Sequence, residues 1–599
     1  MPRTRGCRHE RRRSPGRVRS PSGPSVFLER SGRLGEASLP SGLSGIRPER
    51  TRTGAGNDFH LEGRCGNLTR VSQPSNSKWR RVLRRILFVG LGFALLLILA
   101  IGVRGYFAFR DRLPGYSLSL SIDGKKSQTD PRPLRVGFAR VKINPDLSDP
   151  KRPVYVAGFS QNRKATAIHD DLWAVACVVD DGYSRLGMVA LDAIGFFNDD
   201  VVKVRRRLAA EWKVDYAVVC STHNHSTPDL MGLWGPHPLR SGVDARYKEQ
   251  VIAACVSALG GAVTNLQPAQ FALHEIPCPS HDLVRDSRKP EVFDPDIRVL
   301  HFVNPTNGST IGTVTGWANH PETPWSRNTE ITSDFCGYLR DALERGVEVD
   351  GKTVAKGLGG IHLYVNGAVG GLMTTSPGVT VRDPYSGAEF QAPSHEKARA
   401  VGYQLVSRIL PRLTAPDAAF VGTAPVSIQA RTIEIPLAND LYLVGGLLGL
   451  VDRGYVRWRT LRSEVALLTI GDASIACVPG ELYPEIVNGG VEKPEGGDFP
   501  IEPVEVPSLR ELMPGRVKFL FGLANDEIGY LVPKTQWDQK APFTYGGKKG
   551  PYGEVNSCGP DAAGRVHAGL ADLCRAAKGA RREAQSARRE AQGAGRTPP

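Results

Sequence analysis

The chain has 599 residues, 41% of them hydrophobic, and a formal charge of +16 at pH 7, so a large buried core is affordable in apolar material. The charge sits at the ends: residues 1–85 hold 20 Lys and Arg against 6 Asp and Glu, residues 571–599 hold 7 against 3, and the stretch between is slightly acidic. With no basic stripe in the middle, no nucleic acid is expected as a partner, and ten cysteines without a C-x-x-C make no disulfide framework.

Residues 1–77 are rich in Arg, Ser, Pro and Gly without apolar periodicity and read as a basic, disordered extension. Ile86 to Val103 is an unbroken apolar run of eighteen residues, close to the roughly 20 that cross a bilayer. Lys78, Arg80, Arg81, Arg84 and Arg85 stand just before it, so the positive-inside rule leaves the amino terminus in the cytoplasm and places everything after Arg104 outside, in a periplasmic or extracellular space. Gly102, Val103 and Arg104 make no small-x-small cleavage site, which favours an uncleaved anchor over residues 78–104. Residues 105–133, with Pro114, Gly115, Gly124 and Pro131, read as a tether. The main folded domain is expected over residues 134–570. A basic tail, helical or disordered, follows over 571–599 with the repeat RREAQSARREAQ.

The folded domain opens with LRVGFARVKINP, a strand ending in a proline turn. WAVACVVDD and RLGMVALDAIGFF supply two further strands joined by an Asp181-Gly182 hairpin turn. Asp192 ends the second, where it would orient a histidine or cap the next helix. That helix opens at Asp199 and Asp200 and carries Val201, Val204, Leu208 and Trp212 at helical spacing. Further helices are expected near Asp244 to Val263, Asp334 to Arg345 and Ser394 to Leu410. The alternation predicts a layered α/β fold with a mixed β-sheet flanked by helices, preceded by one transmembrane helix.

The chemistry gathers where strands end. The β-formers Tyr216 to Cys220 break into Ser221, Thr222, His223, Asn224, His225, so both histidines can face one cleft, and neutral imidazole is the commonest metal ligand. An isolated H-x-H is also what loop histidines capping backbone groups look like. Similar breaks recur: IGTVTGW ends in Ala318, Asn319, His320, Pro321; ASIACV ends in Pro479, Gly480, Glu481; KFLFGL ends in Ala524, Asn525, Asp526, Glu527, with Tyr530 following. Two imidazoles, a carboxylate and a further oxygen donor suit zinc with room for a water, assembled at the carboxyl ends of strands. Asp229 is a candidate to hold His225 or to touch the metal. His274, His281, His301 and His362 read as structural, and His169 as a neighbour of the pocket at most. Gln536 to Tyr552, aromatic and glycine-rich, reads as a mobile loop walling the pocket beside Tyr530.

Taken together, STHNHSTPD, LVRDSR, WANHP, PGE and DEIGY resemble, in order, segments of the neutral, non-lysosomal ceramidase family, zinc amidases that cleave the N-acyl bond of sphingolipids. The likeness covers roughly Leu134 to His567. It implies a Zn2+ cofactor held by His223, His320, Glu481 and Tyr530, with His225 and Arg285 contacting the substrate or the tetrahedral intermediate. One segment departs. The family's G-D-x-S-P-N, which supplies an active-site serine, falls against Gly370, Gly371, Leu372, Met373, Thr374, Thr375, leaving Thr374 as the candidate substrate contact. The family's carboxyl-terminal β-sandwich is also missing.

The function expected from these residues is metal-assisted hydrolysis of an amide in a sphingolipid or other N-acyl lipid by a membrane-anchored enzyme. Two rivals share the motif. An amidohydrolase barrel carries its H-x-H on the first strand, and a non-catalytic metal-binding receptor or scaffold on the same fold would explain the missing serine.

Overall fold

Two-residue alternation and Gly–Pro punctuation decide most elements, and the computed structural model follows them; it describes residues 77–279, 282–371 and 373–594, with backbone alone for 77 and 580–594. The expected extension over 1–76, His281 and the last five residues lie outside the described residues. The described residues from Leu83 onward belong to one compact unit. Helix α1 (Ser77–Phe109) spans the apolar run; it is long and apolar enough to cross a membrane and buries none of its apolar window.

The segment read as a tether is built into the body instead. Leu118, Leu120 and Ile122 pack on the core, so β1 (Ser119–Ile122) joins a sheet as its edge strand. Prolines and glycines around this stretch mask a short SLSLSI alternation, which is a strand signal.

Three open sheets carry the body. The first runs β5–β4–β3–β2 and comprises β2 (Arg135–Lys142), β3 (Trp173–Asp180), β4 (Arg185–Leu191) and β5 (Tyr216–Ser221), with only β4 and β5 parallel. The hairpin turn falls at Asp181-Gly182, where Asp180 and Asp181 carboxylates accept the N–H groups of Gly182, Tyr183 and Ser184. Between β4 and β5, α2 (Asn198–Arg206) stops short of Trp212. That indole returns in a 3₁₀ turn and fills the space left by Gly260 in α3 (Ala245–Thr264), where a Cβ would sit 2.5 Å from the ring.

The second sheet holds β6 (Gln270–Ile276), β7 (Ile297–Val303), β8 (Thr310–Trp317) and, after α4 (Asp334–Arg345), β9 (Ile361–Asn366), which runs parallel to β8. Helix α5 (His395–Leu413) packs beside α4, capped by the Ser394 hydroxyl accepting from the Lys397 N–H. In the third sheet β1 pairs β10 (Val426–Pro436), and after α6 (Asp440–Leu448) come β11 (Thr460–Ile470) and β12 (Ala473–Cys477). The two-residue β13 (Glu481–Leu482) follows, then β14 (Val517–Phe521) parallel to β12, and β15 (Tyr530–Leu531) parallel to β13. Helix α7 (Ala562–Ala594) lies on β10 and β11 and stays buried through Ala571, Cys574 and Ala577, so packing continues past the boundary expected at 570.

Phe138, Val175 and Met188 of the first sheet, Phe302 and Leu363 of the second, and Ile428, Leu468 and Phe519 of the third belong to one buried cluster. The architecture is the layered α/β arrangement with helices outside that the sequence predicts, built on three sheets rather than one. None closes into a barrel, which sets the amidohydrolase alternative aside.

Candidate functional site

The parallel pairs bring their carboxyl ends together, and backbone groups released from the ladders bond across the sheets. Ser221 N–H donates to the Leu523 carbonyl, Asn525 N–H to Val219, Gly522 N–H to Asn366 and Gly367 N–H to Trp317. Asn366, fully buried, ties three segments of the chain at this point. Its amide donates to the carbonyls of Thr222 (3.0 Å) and Asn319 (2.9 Å), and its carbonyl accepts the Asn319 N–H (3.1 Å). The backbone is wound unusually tightly here, with positive φ at His223, Trp325, Asp334, Leu523 and Asn525, none of them glycine. Such conformations cost about 1–3 kcal/mol each and concentrate at functional sites.

Within this knot the rings of His223, His225 and His320 lie 4.8–5.6 Å apart between centroids, all three buried. One ligand atom from each falls within 4.8 Å of the others. His223 Nδ1 faces the Ile194 carbonyl and His320 Nδ1 the Met373 carbonyl, each at 2.8 Å. A ring nitrogen facing a carbonyl must carry a proton, so Nε2 is the atom each ring turns toward Glu481 and the one it can offer to a cation. Both Nε2 atoms converge on Glu481 Oε2, at 3.3 Å and 3.0 Å. Imidazoles oriented through Nδ1–H by backbone carbonyls are the arrangement that metal-binding histidines adopt. Glu481 and Tyr530 are register partners of β13 and β15.

Burial works against charge on Glu481, but the His223 and His320 rings overcome it and hold the carboxyl far below its usual range. Burial likewise opposes charge on His320, and the hydrogen bond and charge of Glu481, with the Glu322 carboxylate and the Met373 carbonyl, together outweigh it and raise that imidazole. His225 shows the reverse. Burial, with His223 and His320 beside it, pushes its pKa well below the ordinary imidazole value, so the ring is neutral at pH 7. Tyr530 is raised by burial and by the Glu481 carboxylate, which keeps its hydroxyl protonated.

His225 lacks a hydrogen-bond partner on either ring nitrogen. Glu322 Oε2 lies 3.2 Å from its Nδ1, in contact but without the alignment of a hydrogen bond. Glu527 Oε2 and the hydroxyls of Thr374, Thr222 and Ser221 are also buried without partners. Buried polar atoms are nearly always satisfied, so this concentration of unmatched donors and acceptors fits a site shaped for something further. A divalent cation with a bound water suits the set: two aligned imidazole lone pairs, an ionised carboxylate and a phenol oxygen.

The remaining sequence candidates fall at varied distances from this centre. Thr374 bridges Arg285 on one side and His320 on the other through backbone pairing. The Arg285 side chain is exposed and reaches the Gly378 carbonyl at 3.5 Å. Asp229 spends its carboxylate on the N–H groups of Met231, Gly232 and Trp234 rather than on a histidine ring. Asp192 neither orients a histidine nor caps α2. It forms a buried two-pronged ion pair with Arg340 of α4 and accepts the Trp173 N–H, because α4 packs directly over that strand end. His301 and His362 bond Thr310 and Thr313 hydroxyls and the Gly359 carbonyl, as structural histidines do. The ring of Tyr552, at the end of the aromatic glycine-rich segment, stands 6.0 Å from that of Tyr530.

Sequence reasoning missed Glu322 and Arg163, and named Glu527 only as part of a strand-end break. The Arg163 guanidinium is buried, stacks toward Phe159 and donates to the carbonyls of Ala157 and His225. The HPET spacing, with a carboxylate two residues past a histidine, was the one available signal for Glu322. At the segment lacking the family's serine, a Cβ on Gly370 would stand 2.6 Å from the Tyr483 backbone nitrogen, so no side chain fits there without moving β13.

Fold and centre together define a buried imidazole–carboxylate site at the strand ends of a three-sheet α/β protein. No protein-family model and no curated protein sequence matches the chain. Among solved structures the chain is similar to the neutral ceramidase from Pseudomonas aeruginosa, with 17% identity over 74% of each chain and a TM-score of 0.54. It is similar also to a ceramidase complexed with C2, with 16% identity over 74% of this chain and 75% of the other, at the same TM-score. The protein therefore carries the neutral ceramidase fold in a strongly diverged sequence.

Proposed function

We propose that this chain is a membrane-anchored zinc hydrolase that cleaves the amide bond of an N-acyl lipid or similar amphiphile. The observation that carries the reading is the convergence of His223 Nε2 and His320 Nε2 on Glu481 Oε2, each ring oriented through Nδ1 by a backbone carbonyl. His223, His320, Glu481 and Tyr530 would hold the metal. Zinc bound there would lower the pKa of a bound water from about 15.7 toward about 7.

The chain's own groups supply the rest. His225, neutral and unpaired, accepts a proton from the attacking water at Nε2 and returns it to the departing amine nitrogen. Glu322 beside Nδ1 steadies the ring when it becomes positive. The Tyr530 hydroxyl, and Arg285 where its exposed side chain can swing inward, are the donors for the developing oxyanion. The apolar run Ile86 to Val103 would place this domain outside the cytoplasmic membrane, and residues 118–578 would be the hydrolase domain proper.

The test is elemental analysis of the full chain purified in detergent without chelator, beside His223→Ala and Glu481→Ala, with release of free amine from an N-acyl amide as the activity readout. One zinc per chain, lost in both variants together with turnover, is the expected result. A well-folded chain without stoichiometric metal, or a His223→Ala protein that keeps metal and activity, refutes the reading.

A further inference from the structure

Helix α6 turns an apolar face outward. Leu441, Val444 and Leu448 recur on one side at helical spacing and are 65%, 52% and 44% exposed, and Trp458 nearby is 60% exposed. A soluble surface rarely leaves such a stripe uncovered. Its place in the fold says what covers it. The last residues of α1 pack on this region: Phe109 meets the rings of Tyr455 and Trp458 edge-on at 5.1 Å and 4.9 Å, and Gly105 approaches Leu447. From Val103, where the apolar run ends, to Gly105, which approaches Leu447 of α6, is about 3 Å along the helix axis at 1.5 Å per residue, and Phe109 follows at about 9 Å, at the outer edge of the headgroup layer. The headgroup layer on each side of the hydrocarbon is about 5–8 Å deep. Helix α6 thus meets α1 at headgroup depth. Exposed Tyr106 and Phe107, with Arg104 and Arg110 beside them, match the aromatic and cationic belt of a membrane–water interface.

We propose that α6 and Trp458 are seated in the headgroup layer of the phospholipid bilayer that α1 crosses. The proposal rests on α1 as a bilayer-spanning anchor. Its consequence reaches the site through the other side of the same helix. The Tyr442 hydroxyl donates to the Asn556 carbonyl (3.2 Å), which also accepts the Tyr530 N–H (3.1 Å). The wall of the site that carries Tyr530 is therefore backed by a lipid-seated helix, and an amphiphile would be drawn from the leaflet the helix touches.

The test uses the full chain in phosphatidylcholine nanodiscs, with Cys7→Ser and Cys65→Ser to remove the two cysteines outside the described residues; the other eight are buried. Single nitroxide labels go on Leu95→Cys, Val444→Cys, Trp458→Cys and Val354→Cys, and their collisions with oxygen and with a water-soluble nickel complex are compared. The ratio of oxygen to nickel collisions should be highest at 95, intermediate at 444 and 458, and lowest at 354, an exposed position on a hairpin away from α6. A high ratio at 95 with ratios at 444 and 458 as low as that at 354 overturns the docking and leaves the anchor intact. A ratio at 95 as low as that at 354 overturns the anchor and the docking with it. Dipolar broadening between labels at 444 marks a second copy of this chain on the face, which also overturns it.

Discussion

Gly158→Ala should slow turnover about 100-fold while the protein keeps its metal. Gly158 has φ +103°, and a Cβ there would stand 2.4 Å from His225 Cγ and 2.6 Å from both its Cβ and Nδ1. Ordinary carbon contacts begin near 3.4 Å, so the ring must retreat by about 1 Å. It has little room: Glu322 Oε2 is 3.2 Å from Nδ1 and the Phe159 ring centroid 5.2 Å away. Moving a catalytic group by 1 Å costs on the order of 10²-fold in rate, or about 2.7 kcal/mol in the barrier. The strained alanine adds about 1–3 kcal/mol of destabilisation. The assay pairs kcat for amine release from an N-acyl amide with zinc content and thermal midpoint. Turnover within about threefold of the unsubstituted protein, in a folded metal-loaded sample, would refute the placement of His225 at the reacting centre. Loss of zinc along with activity would count His225 among the metal donors and refute its separate role.

Glu322→Gln keeps the shape beside His225 and removes the charge, and is expected to lower kcat about 10- to 100-fold with zinc retained, shown by parallel kinetics and elemental analysis. Asp192→Asn leaves Arg340 buried without its counter-charge and should destabilise the protein by about 3–5 kcal/mol, read from denaturant midpoints; a loss under about 1 kcal/mol would contradict the pairing. Glu485, buried under β13 with Gln536 donating to it at 2.9 Å, is raised by burial to about 7 from 4.5. Its folded value lies above its unfolded one, so the stabilisation is complete below about pH 4.5 and is lost as pH rises through about 7, a difference of about 3 kcal/mol. Glu485→Gln should flatten the fall in thermal midpoint between pH 5 and 8, and an unchanged slope would refute the assignment.

The metal-type donors were legible because each ends a run of β-formers. Tyr216 to Cys220, Ile311 to Trp317 and Ala473 to Val478 announce strands, and polar residues at their ends have nowhere to go but a rim. Helix α4 falls over Asp334 to Arg345 as its spacing predicts. What surrounds the donors was not legible. Glu322 and Thr374 reach His225 and Arg285 through irregular chain without periodicity, and Asn366 looks like the last residue of an ordinary strand although it fastens three chain segments. Arg163 lies in a loop whose course is set by a local Tyr155–Lys164 bridge and by a Val156–Pro228 bridge formed over a long separation. Asp192 was misread because its partner, Arg340, sits on a helix far along the chain. The tether was misread because proline and glycine content outweighed a four-residue strand whose partner β10 comes some three hundred residues later.

The knot at Asn366 also governs the order in which this protein can become competent. His223, His320, Glu481 and Tyr530 are brought together only when strand ends from all three sheets have met, so no amino-terminal portion of the chain holds all four side chains while synthesis is under way. A metal held by these four residues would then be acquired only after the three sheets have met, late in folding.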